Sequence, residues 1–171
     1  SCTNIGGSNI YGRLDLAYNA ALYQWLDATP RVAVYRFYNL ASAAHFYTSD
    51  LAERDYVIAT YPRFQYEGVA FGAYATQASG TSPVFRFFNT STGAHFYTIS
   101  ATERDYVIAT YPNYLYEGPR WYALAAQAQG AIPLYRFYNR ATAAHFYTTN
   151  QAERDYVIAT YASYQYEGVG Y

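Results

Sequence analysis

The chain has 171 residues, of which 24 are Tyr, 10 Phe and 2 Trp, with 13% charged residues, a formal net charge of -1 and no lysine. That length allows one shared core but not three independent domains, and the scarcity of basic residues excludes nucleic acid and anionic membranes as partners. No apolar run approaches the roughly 20 residues that would span a bilayer. Cys2 is the only cysteine, so an intrachain disulfide and a cysteine-based zinc site are both excluded. The Ser1-Cys2 start is compatible with a lipid-anchored terminus.

One phrase dominates the sequence. AHFYTSDLAERDYVIATYP begins at Ala44 and returns, lightly edited, at Ala94 and Ala144, a step of 50 residues without insertion or deletion. Such a period is the signature of a repeat architecture. Residues 1–21 have no counterpart in the repeats and are read as a cap or tail. Residues 22–32 (LYQWLDATPRV) are read as a closing strand, and the repeats then run over 33–82, 83–132 and 133–171 as one domain.

Within each repeat the first strand is VAVYRFYN, PVFRFFN or PLYRFYN, followed by the short polar loops LASAA, TSTGA and RATAA and a second strand, HFYT. The loops are short enough for antiparallel hairpins, and Tyr, Phe and Val suit a pleated surface. A helix comes next. Asp50, Ser100 and Asn150 share one aligned position, and Glu53, Glu103 and Glu153 follow three residues later, the spacing of a capping box. Pro62 and Pro112 end the helix, and Tyr56, Val57, Thr60 and Tyr61 are expected on its sheet-facing side. A third strand surrounds YEG, a fourth is expected over 71–78 and 121–128, and Gly80 and Gly130 turn the chain into the next repeat.

Tyr171 aligns with Phe71 and Trp121, so the third repeat stops where its fourth strand would begin. The segment 22–32 falls in that empty register and is expected to close the ring there. The expected fold is therefore mainly β with one short helix per repeat. Three repeats form a closed pseudo-threefold ring, like a three-bladed propeller or, alternatively, a β-trefoil, with no exposed strand edges.

Most charges occupy five recurring positions: Arg36, Glu53, Arg54, Asp55, Glu67 and their equivalents. Arg86 lies among aromatic neighbours in its strand, as Arg36 and Arg136 do, and a guanidinium there needs a carboxylate partner. Glu117 of YEG, or a helix acid such as Asp105, is expected to supply it, with Glu67 and Glu167 equivalent to Glu117. Strand parity brings Arg86, His95 and Tyr97 to one face, and His45 and His145 to the matching places. The group is either a polar ligand pocket or a buried network. One histidine per repeat falls short of a zinc ligand set, so neither a metal nor another cofactor is expected. No nucleophile elbow, phosphate loop or paired carboxylates on one helix face appear, so no catalytic residues are assigned. Phe71, Trp121 and Tyr171 could stack on the apolar face of a sugar, or be core.

Taken together, R-F-Y-N, H-F-Y-T, E-R-D-Y and Y-E-G over residues 136–168, recurring three times, resemble a repeat family of largely uncharacterised function in secreted bacterial and fungal proteins. The resemblance runs from Val32 to Tyr171. It implies an extracellular or cell-surface, non-catalytic module, sometimes joined to hydrolases, that targets polysaccharide or glycan. Ala44 and Ala94 depart from the acid that often precedes the histidine in that family. The expected function is a secreted, lectin-like carbohydrate-binding module with up to three equivalent sites, the alternative being a structural or protein-interaction repeat.

Overall fold

A computed structural model describes residues 30–171. The expected cap at 1–21, Cys2 and residues 22–29 of the closing strand lie outside the described residues. The first repeat builds β1 (Arg31–Asn39), β2 (Ala44–Thr48), α1 (Leu51–Thr60) and β3 (Phe64–Tyr74). The second builds β4 (Thr81–Asn89), β5 (His95–Thr98), α2 (Ala101–Thr110) and β6 (Tyr114–Leu124). The third builds β7 (Tyr135–Asn139), β8 (Ala144–Thr148), α3 (Gln151–Thr160) and β9 (Tyr164–Val169).

The hairpins turn on the asparagine that ends each first strand. Asn39 Oδ1 accepts from the Ala41 amide, and Asn89 and Asn139 do the same for Ser91 and Ala141. An Asx turn of this kind substitutes for a backbone turn. The helix starts form at the expected caps: Asp50 accepts from Ala52 and Glu53, Ser100 from Glu103, and Asn150 from Ala152 and Glu153. The sheet-facing side is narrower than expected. Only Val57, Val107 and Val157 are buried on the helices, against the phenylalanines of their own hairpins, while Tyr56 and Tyr61 are exposed. A helix of 10 residues resting on the sheet at one valine leaves its flanks to solvent.

The expected third and fourth strands are a single long strand. In β3 the register slips twice, so that Glu67 and Ala70 have no partner on β1 while Gly68 faces Arg36 and Phe71 faces Val34. Gly68 has φ 90°, and Gly118 and Gly168 adopt the same left-handed backbone. These bulges bend the strand and let it run on where two separate strands were expected. Strand order is β2-β1-β3-β6-β4-β5 in a six-stranded sheet, joined through the Tyr74–Tyr122 pair, and β8-β7-β9 in a three-stranded one. Neither sheet closes into a barrel or propeller, so strand pairing does not supply the closed ring expected from the sequence. The β7–β9 ladder continues to the last residue through Leu134 N–H to Tyr171 O (2.8 Å).

What joins the repeats is a cycle of three tyrosines. The Tyr47 hydroxyl donates to Tyr147 O, that of Tyr97 to Tyr47 O and that of Tyr147 to Tyr97 O, each at 2.7 Å. The same hydroxyls accept from backbone amides: Tyr97 from Tyr47, Tyr147 from Tyr97 and Tyr47 from Tyr147. The rings stand edge to face with centroids 5.5–5.6 Å apart. β2, β5 and β8 are the edge strands of their sheets, and a neighbour's phenol occupies backbone groups that an edge would otherwise expose. Ala44, Ala94 and Ala144 meet in a second contact between repeats.

Candidate functional site: ionic clefts between repeats

Each tyrosine of the cycle lies opposite an arginine on the adjacent strand: Arg36 pairs in register with Tyr47, Arg86 with Tyr97 and Arg136 with Tyr147. The histidine two residues before that tyrosine projects on the same face. The expected meeting of arginine, histidine and tyrosine therefore occurs in all three repeats. Arg86 Nε donates to Glu117, Arg36 Nε contacts Glu67 at 2.6 Å and Arg136 Nε contacts Glu167 at 2.8 Å. The bulge delivers these carboxylates, because it places Glu67 out of register beside Arg36.

A second carboxylate comes from the preceding repeat. Glu53 of α1 takes Arg86 in a two-pronged contact at 2.9 and 2.8 Å, and Glu103 of α2 takes Arg136 at 2.7 and 3.2 Å. Glu153 of α3 reaches Arg36 once, at 3.4 Å. In a capping box these glutamates would turn back to the cap amide. Here the hydroxyls of Thr48, Thr98 and Thr148 accept from the amides of Asp50, Ser100 and Asn150, leaving the glutamates free to cross to the next repeat. Asp105, the other partner considered for Arg86, pairs with Arg104.

Aromatic rings complete the floor. Arg86 lies over Phe46 at 5.1 Å, and His95 packs on the same ring at 4.8 Å, with the equivalent contacts of His145 on Phe96 and His45 on Phe146. Burial works against the charge of Glu53, Glu67, Glu103 and Glu167. Hydrogen bonds from arginine, threonine or histidine overcome it, and all four carboxyls are held below their ordinary range. Burial, with the charges of Arg86 and Arg120, pushes His95 down to about 3. Desolvation raises the hydroxyls of Tyr47, Tyr97 and Tyr147 well above the usual phenol range. Near neutral pH these four glutamates are thus ionised, while His95 and the three phenols are neutral.

Two clefts open beside these networks. One, about 360 Å³, lies between α2 and the third repeat, with Tyr106, Tyr111, Tyr114 and Tyr138 as walls and Glu103, Arg136, His145 and Glu167 below. The other, about 250 Å³, lies between α3 and the first repeat and includes Arg36, Glu67, Ala70, Thr149 and Glu153. The arginines, histidines and YEG glutamates singled out from the sequence therefore converge. Phe71, Trp121 and Tyr171 do not join them. Trp121 is 1% exposed and stacks on Tyr97 at 5.5 Å, so it is core and not an open platform. Phe71 lies edge-on to Trp121 and to Tyr171, partly buried against the same core.

Sequence reasoning missed Glu53, Glu103 and Glu153 as members of the site, having assigned them to capping. It also missed Tyr106 and Tyr111, having turned their counterparts Tyr56 and Tyr61 toward the sheet. The signal was present: the glutamate and both tyrosines recur without change at the 50-residue step, whereas the cap residue itself varies. Among the described residues no group of three His, Cys, Asp or Glu is placed to hold a metal ion, and no helix is long and apolar enough to cross a membrane.

A family model described as a domain of unknown function (DUF5648) matches residues 20–171. No curated protein and no solved structure matches the chain.

Proposed function

We propose that this chain, which belongs to the DUF5648 family, is a non-catalytic carbohydrate-binding module of a secreted or surface-displayed protein. In this reading its three repeats stand about a pseudo-threefold axis through the tyrosine cycle and offer up to three related clefts. The observation that carries the proposal is the cleft between α2 and the third repeat. Flat phenol rings at its rim stand beside a guanidinium, two carboxylates and an imidazole. A pyranose needs that combination: a ring face to stack against its C–H groups, and donors and acceptors in one plane for its hydroxyls. The same tyrosines pair edge to face in the other repeats, Tyr56 with Tyr61 and Tyr156 with Tyr161. Weak sites repeated on one rigid body gain avidity on a repetitive polymer without any new contact. Catalysis is a poorer fit, since four of the carboxyls are held ionised and so cannot donate a proton near neutral pH.

A glycan array followed by calorimetry on each hit tests this. Retention of a polysaccharide that weakens in Tyr106→Ala and Tyr111→Ala, with folding intact, is the expected result, since each cleft adds to avidity. No retention of any glycan at millimolar concentration would refute it. The alternative, a structural or protein-interaction repeat, draws support from the arginines and glutamates satisfying one another across the junctions. Capture of a protein partner unaffected by competing sugars would favour it.

A further inference from the structure

The three junctions have the same plan but not the same contents. At the first, the charge of Arg120 acts on Glu53, and the Arg120 carbonyl accepts from the Ser49 hydroxyl across the junction. At the second, Ile99 replaces that serine and packs against the central core. The third junction, between α3 and the first repeat, has Ala70 where the first has Arg120, and Thr149 where the second has Ile99. It is also where the ion pair is slackest: Arg36 meets Glu153 once at 3.4 Å, against two contacts each for Arg86 and Arg136. The side chains of Arg36 and Arg136 are 20% and 18% exposed and that of Arg86 only 3%, so it is the single long contact that sets the third junction apart.

Resting on the carbohydrate reading, we infer that this third junction is the dominant ligand site, and that it takes a single neutral sugar ring at the mouth formed by Arg36, Glu67, Thr149 and Glu153. Its volume of about 250 Å³ falls just below the range of about 300–1,000 Å³ for larger ligands. Its lining supplies donors from Arg36 and acceptors from Glu67 and Glu153. A sugar hydroxyl inserted there completes the guanidinium's bonding, which the two tighter junctions complete internally. At those junctions a ligand would have to break a two-pronged ion pair first.

The experiment is an amide-resolved NMR titration of the full chain with glucose, galactose, N-acetylglucosamine and glucuronate. It includes Ala70→Arg, which installs at the third junction the residue that occupies the first, and Arg120→Ala, which removes it from the first. The largest shifts are expected at Val69–Ala70 and Thr148–Glu153 in the unaltered chain. Affinity should fall roughly tenfold or more in A70R, while R120A, which leaves the two-pronged Arg86–Glu53 contact intact, should add no comparable set around Ser49–Glu53. A70R is read only against its own dispersed spectrum, and a set in R120A as strong as that at the third junction would also overturn the inference. Equal shifts at all three junctions, or undiminished binding by A70R, would overturn the inference and leave the carbohydrate reading in place. No response to any of the four sugars in the chain or in R120A would overturn both.

Discussion

Tyr97→Phe deletes one oxygen atom and tests the central claim about how the repeats are held. That oxygen donates to Tyr47 O at 2.7 Å and accepts from Tyr47 N–H at 2.8 Å, in a site where Tyr97 is 1% exposed. Its loss strands a buried carbonyl and a buried amide on the edge strand β2. At about 1–3 kcal/mol for each unsatisfied group, the variant should lose about 2–6 kcal/mol, a large share of the roughly 5–15 kcal/mol typical of a domain. Guanidinium denaturation followed by circular dichroism would read this as a lower midpoint at constant slope. Tyr116→Phe, on a ring 41% exposed, is the control and should stay within about 0.5 kcal/mol. The triple variant at Tyr47, Tyr97 and Tyr147 should cost less than the sum of the singles, because the three rings touch one another edge to face and their sites relax together. A Tyr97→Phe cost below about 1 kcal/mol would refute the reasoning, since the tyrosine cycle would then be decoration on an interface held by apolar packing alone.

Arg86→Met should cost about 3–5 kcal/mol, because it leaves Glu53 and Glu117 facing each other without a counter-ion. Arg36→Met should cost less, given its single 3.4 Å contact with Glu153, and equal losses in denaturation would contradict the difference between junctions. Gly118→Ala meets no atom within 4 Å but must hold φ 88°, so a melting measurement should show about 1–2 kcal/mol of backbone strain and no more. Acid should destabilise the fold in two stages. Below pH 6.5 the unfolded chain protonates His95 while the folded one resists until about 3. Below about 4.5 the depressed carboxyls of Glu53, Glu67, Glu103 and Glu167 add to the loss, because their contribution is present above the unfolded value and disappears as pH falls through the folded ones. Melting temperature should therefore fall steadily below pH 6.5, with the upper part absent in His95→Gln; a flat profile between 6.5 and 4.5 would count against a neutral buried His95.

Local features were legible in the sequence wherever the chain talks to itself. The hairpins, the three helices and their caps follow from periodicity and from Asp50, Ser100 and Asn150, whose side chains act within three residues. The arginine–glutamate pairing within a repeat was also readable, because a guanidinium among aromatics demands a counter-ion. What escaped was every contact between repeats. Nothing in the spacing of Glu53 says that Thr48 will take over its capping duty and free it for Arg86, 33 residues on. The bulge at Glu67 was illegible for a related reason: Gly68 within the strand around YEG signals a turn as readily as an irregular strand. For Trp121 the sequence leaves platform and core both open, because three such rings converge on one core only once the repeats are assembled.

The tyrosine cycle acts through space and not along the backbone, which has a consequence for how the molecule can be cut. Severing the exposed stretch at Ala125–Gly130 breaks none of the six phenol–backbone bonds, so the two fragments should recombine on mixing. By the same logic a lone repeat, synthesised as a peptide, lacks the neighbour that occupies its edge, and would find it only in two further copies of itself. Its order should then depend on concentration to the third power, a homotrimer doing without linkers what the tandem chain does with them.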